Sequence, residues 1–463
     1  MLKTTGRMLK TTGRMMRAAA LTLGLAVAAL PLRAETLADA LIAAYRNSNL
    51  LDQNRAVLRA ADEDVAVALS SLRPVLSLGA DASYSNQRFI DTTASVALTA
   101  QITLYDFGRN RLAVDVQKEV VLATREALVN VEQQVLLRAV RAYVSVRLSQ
   151  EIVGLRESNE RLIGQELRAA RDRFDLGETT RTDVALAEAR LATSRSDLIA
   201  AQGDLLVARE NFLLAVGHYP KNLAPPPRAP RTARSLDEAR GVASRTHPLV
   251  RQAQREVTIG VLNMARAKAA MGPTLTGQAQ LAYNSSTRRG DSVSLGLDQT
   301  LYAGGRLSAL FRQALARRDQ ARSGLLQTTA EVGQQVGEAW ANLTVAAASI
   351  EASDREIRAA QTAFDGVREE ALLGARTTLD VLDAEQNLLS ARTNRVSSEA
   401  TRYVGVYVLL SSMGLLTVDH LGLGIPTYDP AAYYNAVKNA PATSTQGRKL
   451  DRVLKSIGRT STD

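Results

Sequence analysis

The chain contains two copies of one pattern, displaced by about two hundred residues. Leu236 and Pro273 follow Leu37 and Pro74 at an offset of 199. After a two-residue slip the offset becomes 197 and relates Thr103-Leu104-Tyr105 to Thr300-Leu301-Tyr302, Gly177 to Gly374, Asp183 to Asp380, Glu188 to Glu385, and Gly217 to Gly414. A fixed offset across glycines, acids and apolar residues indicates duplicated supersecondary structure. We therefore predict one body that is built from two similar halves.

The first 34 residues have the organisation of a secretory signal peptide. A basic region ending at Arg17 precedes an apolar stretch from Ala18 to Leu30, and a plausible cleavage site lies before Glu35. Residues 1–34 hold six Lys/Arg and no Asp/Glu, so the formal charge of +10 leaves only +4 for the rest of the chain. This mild charge argues against a nucleic-acid-binding protein. We expect the mature chain to begin at or near Glu35.

The composition excludes several classes of site. The chain has no cysteine, so disulfides, thiolate metal sites and an acylated N-terminal cysteine are ruled out. Its three histidines, His218, His247 and His420, are too scattered for a metal-ligand spacing. We find no nucleophile elbow and no phosphate loop. The sequence predicts no enzyme, and neither a cofactor nor a metal centre.

Most of each repeat is predicted to be helical. No proline interrupts the chain between Pro74 and Pro220, or between Pro273 and Pro426, and both stretches are rich in good helix formers. Helices of ~40–60 residues would extend ~60–90 Å, which is longer than a globular core needs. The predicted organisation is a first repeat over 35–217, a proline-rich linker over 218–235, a second repeat over 236–424, and a disordered tail over 425–463.

Four segments near residues 75–104 and 274–301 alternate apolar with small polar residues. In the first, Leu76 and Leu78 alternate with Ser77 and Gly79, and the other three follow the same period of two. Segments of about ten residues with this period are typical of membrane barrel strands, and also of a soluble sheet with one face in water. The predicted export and the lack of an apolar run of ~18 residues favour the barrel.

Four strands do not close a barrel. The smallest single-chain membrane barrels have about eight strands, and lipid does not tolerate an open sheet edge. Strands that span a membrane would therefore have to come from several chains that share one barrel. Eight, twelve or sixteen strands remain open at this point.

The motifs resemble those of the TolC-like outer-membrane efflux and secretion proteins of Gram-negative bacteria. The resemblance covers about residues 36–424 and is carried by Leu-Tyr-Asp-Phe-Gly-Arg at 104–109, Leu-Tyr-Ala-Gly-Gly-Arg at 301–306, and Leu-Gly-Ala-Arg-Thr-Thr-Leu-Asp-Val-Leu-Asp at 373–383. It implies a mainly α chain with a small β part, in a homotrimer with a shared twelve-stranded barrel and a tunnel of long helices through the periplasm. It also implies partners, namely outer-membrane lipid, a periplasmic adaptor (membrane fusion) protein and an inner-membrane transporter.

The resemblance also assigns roles to residues of this chain. Gly177 and Gly374 would lie in the two turns at the tunnel tip, where an adaptor docks. Asp380 and Asp383 would line the constriction of a gate, and Arg376 would bond across to the turn that holds Thr182 and Asp183. The duplication supports this. The first repeat has Leu186 and Thr179 at the positions that correspond to Asp383 and Arg376, so this acid and this base occur only in the second repeat. The chain departs from the best-known member at Ala371, where that protein has a second latch tyrosine.

Two functions from different classes follow. The first is a passive exit duct of a tripartite multidrug efflux pump or a type I protein secretion system. The second is a periplasmic coiled-coil scaffold without a pore. A purely structural explanation of Asp380 and Asp383 also remains, because acids in the first turn of a helix interact favourably with the helix dipole.

Overall fold

The structure, a computed structural model, describes residues 34–86, 90–285, 288–437 and 452. The predicted signal peptide lies outside the described residues, apart from Ala34. The first repeat consists of α1 (Leu37–Asn47), α2 (Asn49–Ser70), β1 (Val75–Asn86), β2 (Ile90–Tyr105), α3 (Arg109–Asp175) and α4 (Arg181–Val216). The second consists of α5 (Leu236–Thr246), α6 (Pro248–Ala269), β3 (Thr274–Asn284), β4 (Arg288–Asp298), α7 (Arg306–Leu372) and α8 (Thr378–Ser412), and α9 (Pro430–Val437) follows.

The two repeats have the same order of elements, and their longest helices have the same length. Helices α3 and α7 each contain 67 residues. At 1.5 Å per residue each helix is about 100 Å long, beyond the upper end of the expected range. Helix α3 packs against α4, and α7 packs against α8, so each repeat ends in a helical hairpin. Helix α3 also contacts α8 and α6, which joins the two repeats along their length.

The four strands form one antiparallel sheet in the order β1-β2-β3-β4. The register brings Leu78 opposite Leu98, and Leu98 opposite Leu281, so that apolar side chains share one face. The described part of the chain leaves this face uncovered, since Leu78 is 72% exposed and Val293 is 85% exposed. Strands β1 and β4 each have one unpaired edge in this sheet. The sheet therefore ends at both sides and exposes one apolar face.

The main core lies at the middle of the long helices, where α1 and the end of α8 meet α3 and α4. Its largest fully buried side chains include Tyr143 and Phe212. The Tyr143 hydroxyl donates to the carbonyl oxygens of Ala224 at 2.7 Å and Glu35 at 3.1 Å. These bonds hold the linker, which forms no helix over 218–235, against the start of the first repeat.

The tail differs from the expectation of disorder over 425–463, because its first part forms α9 and packs against α2. The Tyr433 hydroxyl donates to a carboxylate oxygen of Glu63 at 2.8 Å, and Arg125 lies over the ring of Tyr434 at 5.8 Å. Aromatic contacts hold Pro430–Val437 in a helix, so the described structure is ordered over this part of the predicted tail. Residues 438–451 and 453–463 lie outside the described residues.

Within the described residues, no helix combines the length and apolarity that a membrane-spanning helix needs. The same part of the chain contains no group of three or more potential metal ligands.

Candidate functional site: the two hairpin turns

The turns that join α3 to α4 and α7 to α8 have the same backbone design. Gly177 and Gly374 have positive φ angles of 78° and 76°. Beyond them, the N–H of Glu178 donates to the carbonyl of Arg173, and the N–H of Ala375 donates to the carbonyl of Glu370, at 2.8 and 2.9 Å. This bonding satisfies the last carbonyl groups of a helix whose end is left-handed, a conformation that glycine adopts without strain.

Each turn leads into a capping box at the start of the next helix. The Thr180 hydroxyl accepts from the N–H of Asp183 at 3.2 Å, and Asp183 Oδ2 accepts from the N–H of Thr180 at 3.1 Å. Thr377 and Asp380 repeat this arrangement, at 3.2 and 3.0 Å. Threonine at the N-cap with an acid three residues later is the pattern that this geometry requires.

The capping bonds keep both aspartates ionised. Hydrogen bonds from Thr180 and Thr179 lower the pKa of Asp183, and bonds from the Thr377 backbone and hydroxyl lower the pKa of Asp380. The cause is that these donors stabilise the carboxylate form. Asp380 therefore has a structural role at the helix start, whatever further role it has.

The two charges found only in the second repeat have partners within the chain. Asp383 accepts from the Arg190 guanidinium on α4 at 2.6 Å, and Arg376 donates to Glu370 at 2.8 Å. No ion pair joins Arg376 to Asp183 within the described part of the chain, and Thr182 is exposed in the first turn of α4. The structure thus brings the predicted gate residues to one end of the molecule, but not into the predicted Arg376–Asp183 contact.

A buried carboxylate that sequence reasoning missed lies one turn above. Glu385 on α8 is 3% exposed, and neither of its carboxylate oxygens has a hydrogen-bond partner. Its repeat counterpart Glu188 is exposed and pairs with Arg171 at 2.6 Å. The signal was present in the sequence, since Leu382 and Leu388 at helical spacing place residue 385 on the buried face.

Charged groups from every neighbouring helix face Glu385. Glu166 lies on α3, Arg190 on α4 and Arg368 on α7, and Glu166 pairs with Arg368 at 3.7 Å. Burial, followed by repulsion from Glu166, raises the pKa of Glu385 to about 7, against the opposing effect of the two arginines. The packing between the two hairpins therefore favours a neutral side chain at this position.

Comparison with known proteins gives a consistent assignment. Residues 40–218 and 242–414 match the family model described as "Outer membrane efflux protein". The chain is 37% identical over 414 residues to "Outer membrane efflux protein BepC" of Brucella suis, covering 88% of this chain and 91% of that protein. It is 25% identical over 446 residues to "Outer membrane protein TolC" of Escherichia coli, covering 89% and 90%.

The fold also matches a solved structure. The outer membrane protein VceC of Vibrio cholerae superposes with a TM-score of 0.72 at 19% identity, over 82% of this chain and 96% of that one.

Proposed function

Because this chain belongs to the outer membrane efflux protein family, we propose that it forms a passive channel in the outer membrane that extends into the periplasm. The channel is the exit duct of a tripartite efflux pump or a type I secretion system, and the name of BepC favours efflux. The observation that carries the proposal is the four-stranded sheet with two open edges and an uncovered apolar face. Lipid covers the face, and other copies of the chain pair with the edges.

Three copies give the channel its barrel. Three sheets of four strands make twelve strands, within the range of outer-membrane barrels. The helices support the same assembly, because α4 exposes an apolar stripe formed by Ile199, Leu206 and Leu214 at 61–77% exposure. Side chains spaced by seven and eight residues lie on one helix face. A ring of copies buries this stripe between neighbouring chains.

The hairpin turns form the periplasmic end of the duct and its gate. Asp380 and Asp383 of three chains place six carboxylates at this end, of which the Asp383 group is partly compensated by Arg190. Rings of acids favour cations over anions. The constriction therefore makes the closed channel selective for cations.

Arg376 holds the gate by bonding to Thr182 and Asp183 of a neighbouring hairpin. To form this contact, Arg376 leaves its present partner Glu370, which lies in the last turn of α7 and is as exposed as Arg376. Exchange between two exposed partners has little energetic cost, which suits a latch that must open.

The exposed turns around Gly177 and Gly374 receive the periplasmic adaptor, which connects the duct to an inner-membrane transporter. Leu176 and Leu373, beside the two glycines, are 74% and 85% exposed and have no cover within the chain. Exposed apolar side chains on a rigid turn are suitable anchors for a partner protein.

Single-channel recording in planar lipid bilayers tests the proposal. We expect the purified protein to conduct ions with cation selectivity, and Asp380→Asn with Asp383→Asn to lower that selectivity. Arg376→Ser should raise the conductance because the latch is lost. Arg355→Ser, which breaks the exposed pair with Glu351 on α7, serves as the matched control.

A protein that neither conducts nor stays with the outer membrane during alkaline extraction would contradict the duct and favour the periplasmic scaffold. Conductance and selectivity that are the same in wild type and in both gate variants would contradict only the gate.

A further inference from the structure

A cavity of about 530 Å³ lies where the long helices meet the sheet. It is lined by the first turn of α3, the last turns of α6 and the first turns of α7. Arg109 in its wall is four residues beyond the end of β2, and Ala270 is four residues before the start of β3. The junction cavity, as we call it, therefore lies at the level where the strands end.

The wall of the junction cavity is positively charged, although the buried carboxylate of Asp106 lies beside it and accepts from the N–H of Asn110 at 2.7 Å. Arg109, Arg266 and Arg317 line it, and no aspartate or glutamate does. None of the three forms an ion pair with a carboxylate in the described part of the chain, although Arg255 and Arg318 nearby pair with Glu119 and Asp319 at 3.3 and 2.7 Å. Like charges that are gathered in a recess raise the local concentration of anions.

The remaining wall of the cavity suits an amphiphilic anion. Asn263 and Gln313 add neutral polar groups, while Leu307 and Leu310 add apolar surface, with Leu310 45% exposed. The volume falls in the usual range of small-molecule sites. Helix α7 also begins here, and its N-cap Gly305 provides no side chain to satisfy the first N–H groups. An uncapped helix start adds positive potential.

Exposed aromatic side chains mark the same level of the molecule. Tyr105, Phe107 and Tyr302 lie at or just beyond the strand ends and are 52%, 54% and 88% exposed. Tyrosine and other amphipathic rings concentrate at the boundary between the hydrocarbon of a membrane and water. If the sheet spans the outer membrane as proposed above, the junction cavity lies at the height of the lipid headgroups of the periplasmic leaflet.

We propose that the junction cavity binds a phosphate group through Arg109, Arg266 and Arg317. Guanidinium groups bind phosphate oxygens with paired hydrogen bonds, so a recess lined by three of them suits a phosphate group. Two sources offer this chemistry, an anionic phospholipid headgroup and free phosphate in the periplasm. The leucines of the wall and the adjacent aromatic residues favour the phospholipid, and this choice rests on the proposed function.

Native mass spectrometry of the mature protein in detergent tests the site. The protein is titrated separately with phosphatidylglycerol, phosphatidylcholine and inorganic phosphate. The test variant combines Arg109→Gln, Arg266→Gln and Arg317→Gln. The control variant combines Arg111→Gln, Lys268→Gln and Arg312→Gln, which removes the same charge from the same three helices outside the cavity wall.

The wild type should retain phosphatidylglycerol more strongly than phosphatidylcholine. The test variant should bind phosphatidylglycerol at least about tenfold more weakly, and the control variant within about twofold of wild type. If inorganic phosphate binds with this dependence on the three arginines and the lipid does not, free phosphate is the ligand. Equal binding of all ligands by the wild type, test and control variants overturns the site.

Each single substitution is also measured, so that the test remains interpretable if the triple variant fails to fold. Single variants that all bind phosphatidylglycerol like the wild type overturn the site. Because the assay is made in detergent, it does not depend on conduction. A protein that binds lipid through these arginines but forms no channel would contradict the proposed function and leave the cavity assignment in place.

Discussion

At the scale of single residues, Glu385 is the side chain whose environment conflicts most with its charge. It lies between two apolar clusters, one around Leu167 and Leu382 and one around Phe364 and Leu388. A carboxylate that is buried without hydrogen bonds is costly when ionised and much less so when protonated. The protonation state of this residue therefore affects how firmly the two hairpins pack near their turns.

We expect Glu385 to make the hairpins less stable as the pH rises. The pKa of about 7 in the folded protein exceeds the ordinary value of 4.5. The protonated Glu385 side chain therefore makes its full contribution to stability below pH 4.5, and this contribution is lost as the pH rises through 7. Glu385→Gln keeps the shape and removes the titration. The variant should show a smaller fall in the thermal midpoint between about pH 5 and 8 than the wild type, because the buried Asp62, whose pKa burial raises to about 6, still titrates.

The repeat supplies the control for this prediction. Glu188→Gln changes the equivalent glutamate, which is half exposed and paired with Arg171, and it should leave the pH dependence as in the wild type. A wild-type profile that is flat between pH 5 and 8, or a Glu385→Gln profile that falls as steeply as that of the wild type, would refute the assignment.

Single residues also show where sequence reasoning reached its limit. Asp380 was recognised as a candidate helix-start acid, because an acid in the first turn of a helix is a local pattern. The partner of Asp383 was not, because Arg190 lies 193 positions away and their contact depends on how the hairpins pack. Arg376 was assigned to Asp183 by resemblance, while within the chain it bonds to Glu370 on its own turn.

At the scale of elements, the two repeats use left-handed glycines at both ends of the hairpins, in two different surroundings. At the tip, a Cβ on Gly374 would meet nothing within 4 Å. At the other end, Gly414 has a φ of 75°, and a Cβ there would lie 2.6 Å from the Cα of His247. Gly374 is required only because its φ angle is positive. Gly414 is required also because the end of α8 closely approaches the start of α6.

The two glycines should therefore differ in their tolerance of alanine. Gly374→Ala costs only the left-handed conformation, about 1 kcal/mol. Gly414→Ala adds a backbone clash and should cost at least about 3 kcal/mol in the free energy of unfolding. Chemical unfolding followed by circular dichroism compares the two. Equal losses would show that the contact with His247 is not a rigid one.

The order and type of the elements followed from the duplicated pattern, since the same signals occur twice. The lengths of the helices were harder to predict, because the composition favoured helices of ~40–60 residues and the sequence contains no stop signal before Asp175 or Leu372. Helix α9 was missed because it is only eight residues long, and its order depends on contacts of Tyr433 and Tyr434 with residues some 300 or more positions earlier.

At the scale of the whole molecule, a single chain leaves strand edges and apolar surface uncovered in its described part. Its sheet has two free edges, and α4 exposes an apolar stripe. The sequence alone left two, three or four copies open, because no single strand specifies the number of strands in a barrel. The proposed ring of identical copies would cover both the edges and the stripe.

We expect native mass spectrometry in detergent to give the mass of three chains. Leu206→Asp places a charge in the exposed stripe of α4 and should shift the distribution toward single chains, because a charge would be buried between copies. Leu176→Asp, at a leucine in the tip turn that is 74% exposed against 61% for Leu206, should leave three chains. A mass of two or four chains would disprove the trimer, and would still allow a shared barrel.

The pairing of β2 with β3 has a consequence for the order in which the chain folds. Thr103 and Thr276 are neighbours in the sheet although 173 residues separate them (276 − 103 = 173). During synthesis at 5–20 residues per second, the partner strand is made roughly 9–35 s after β2. For that interval the first hairpin has an apolar face and no neighbour, a state that is prone to aggregation. Completion of the sheet therefore requires that the first hairpin stay without its β3 partner until the second repeat is available.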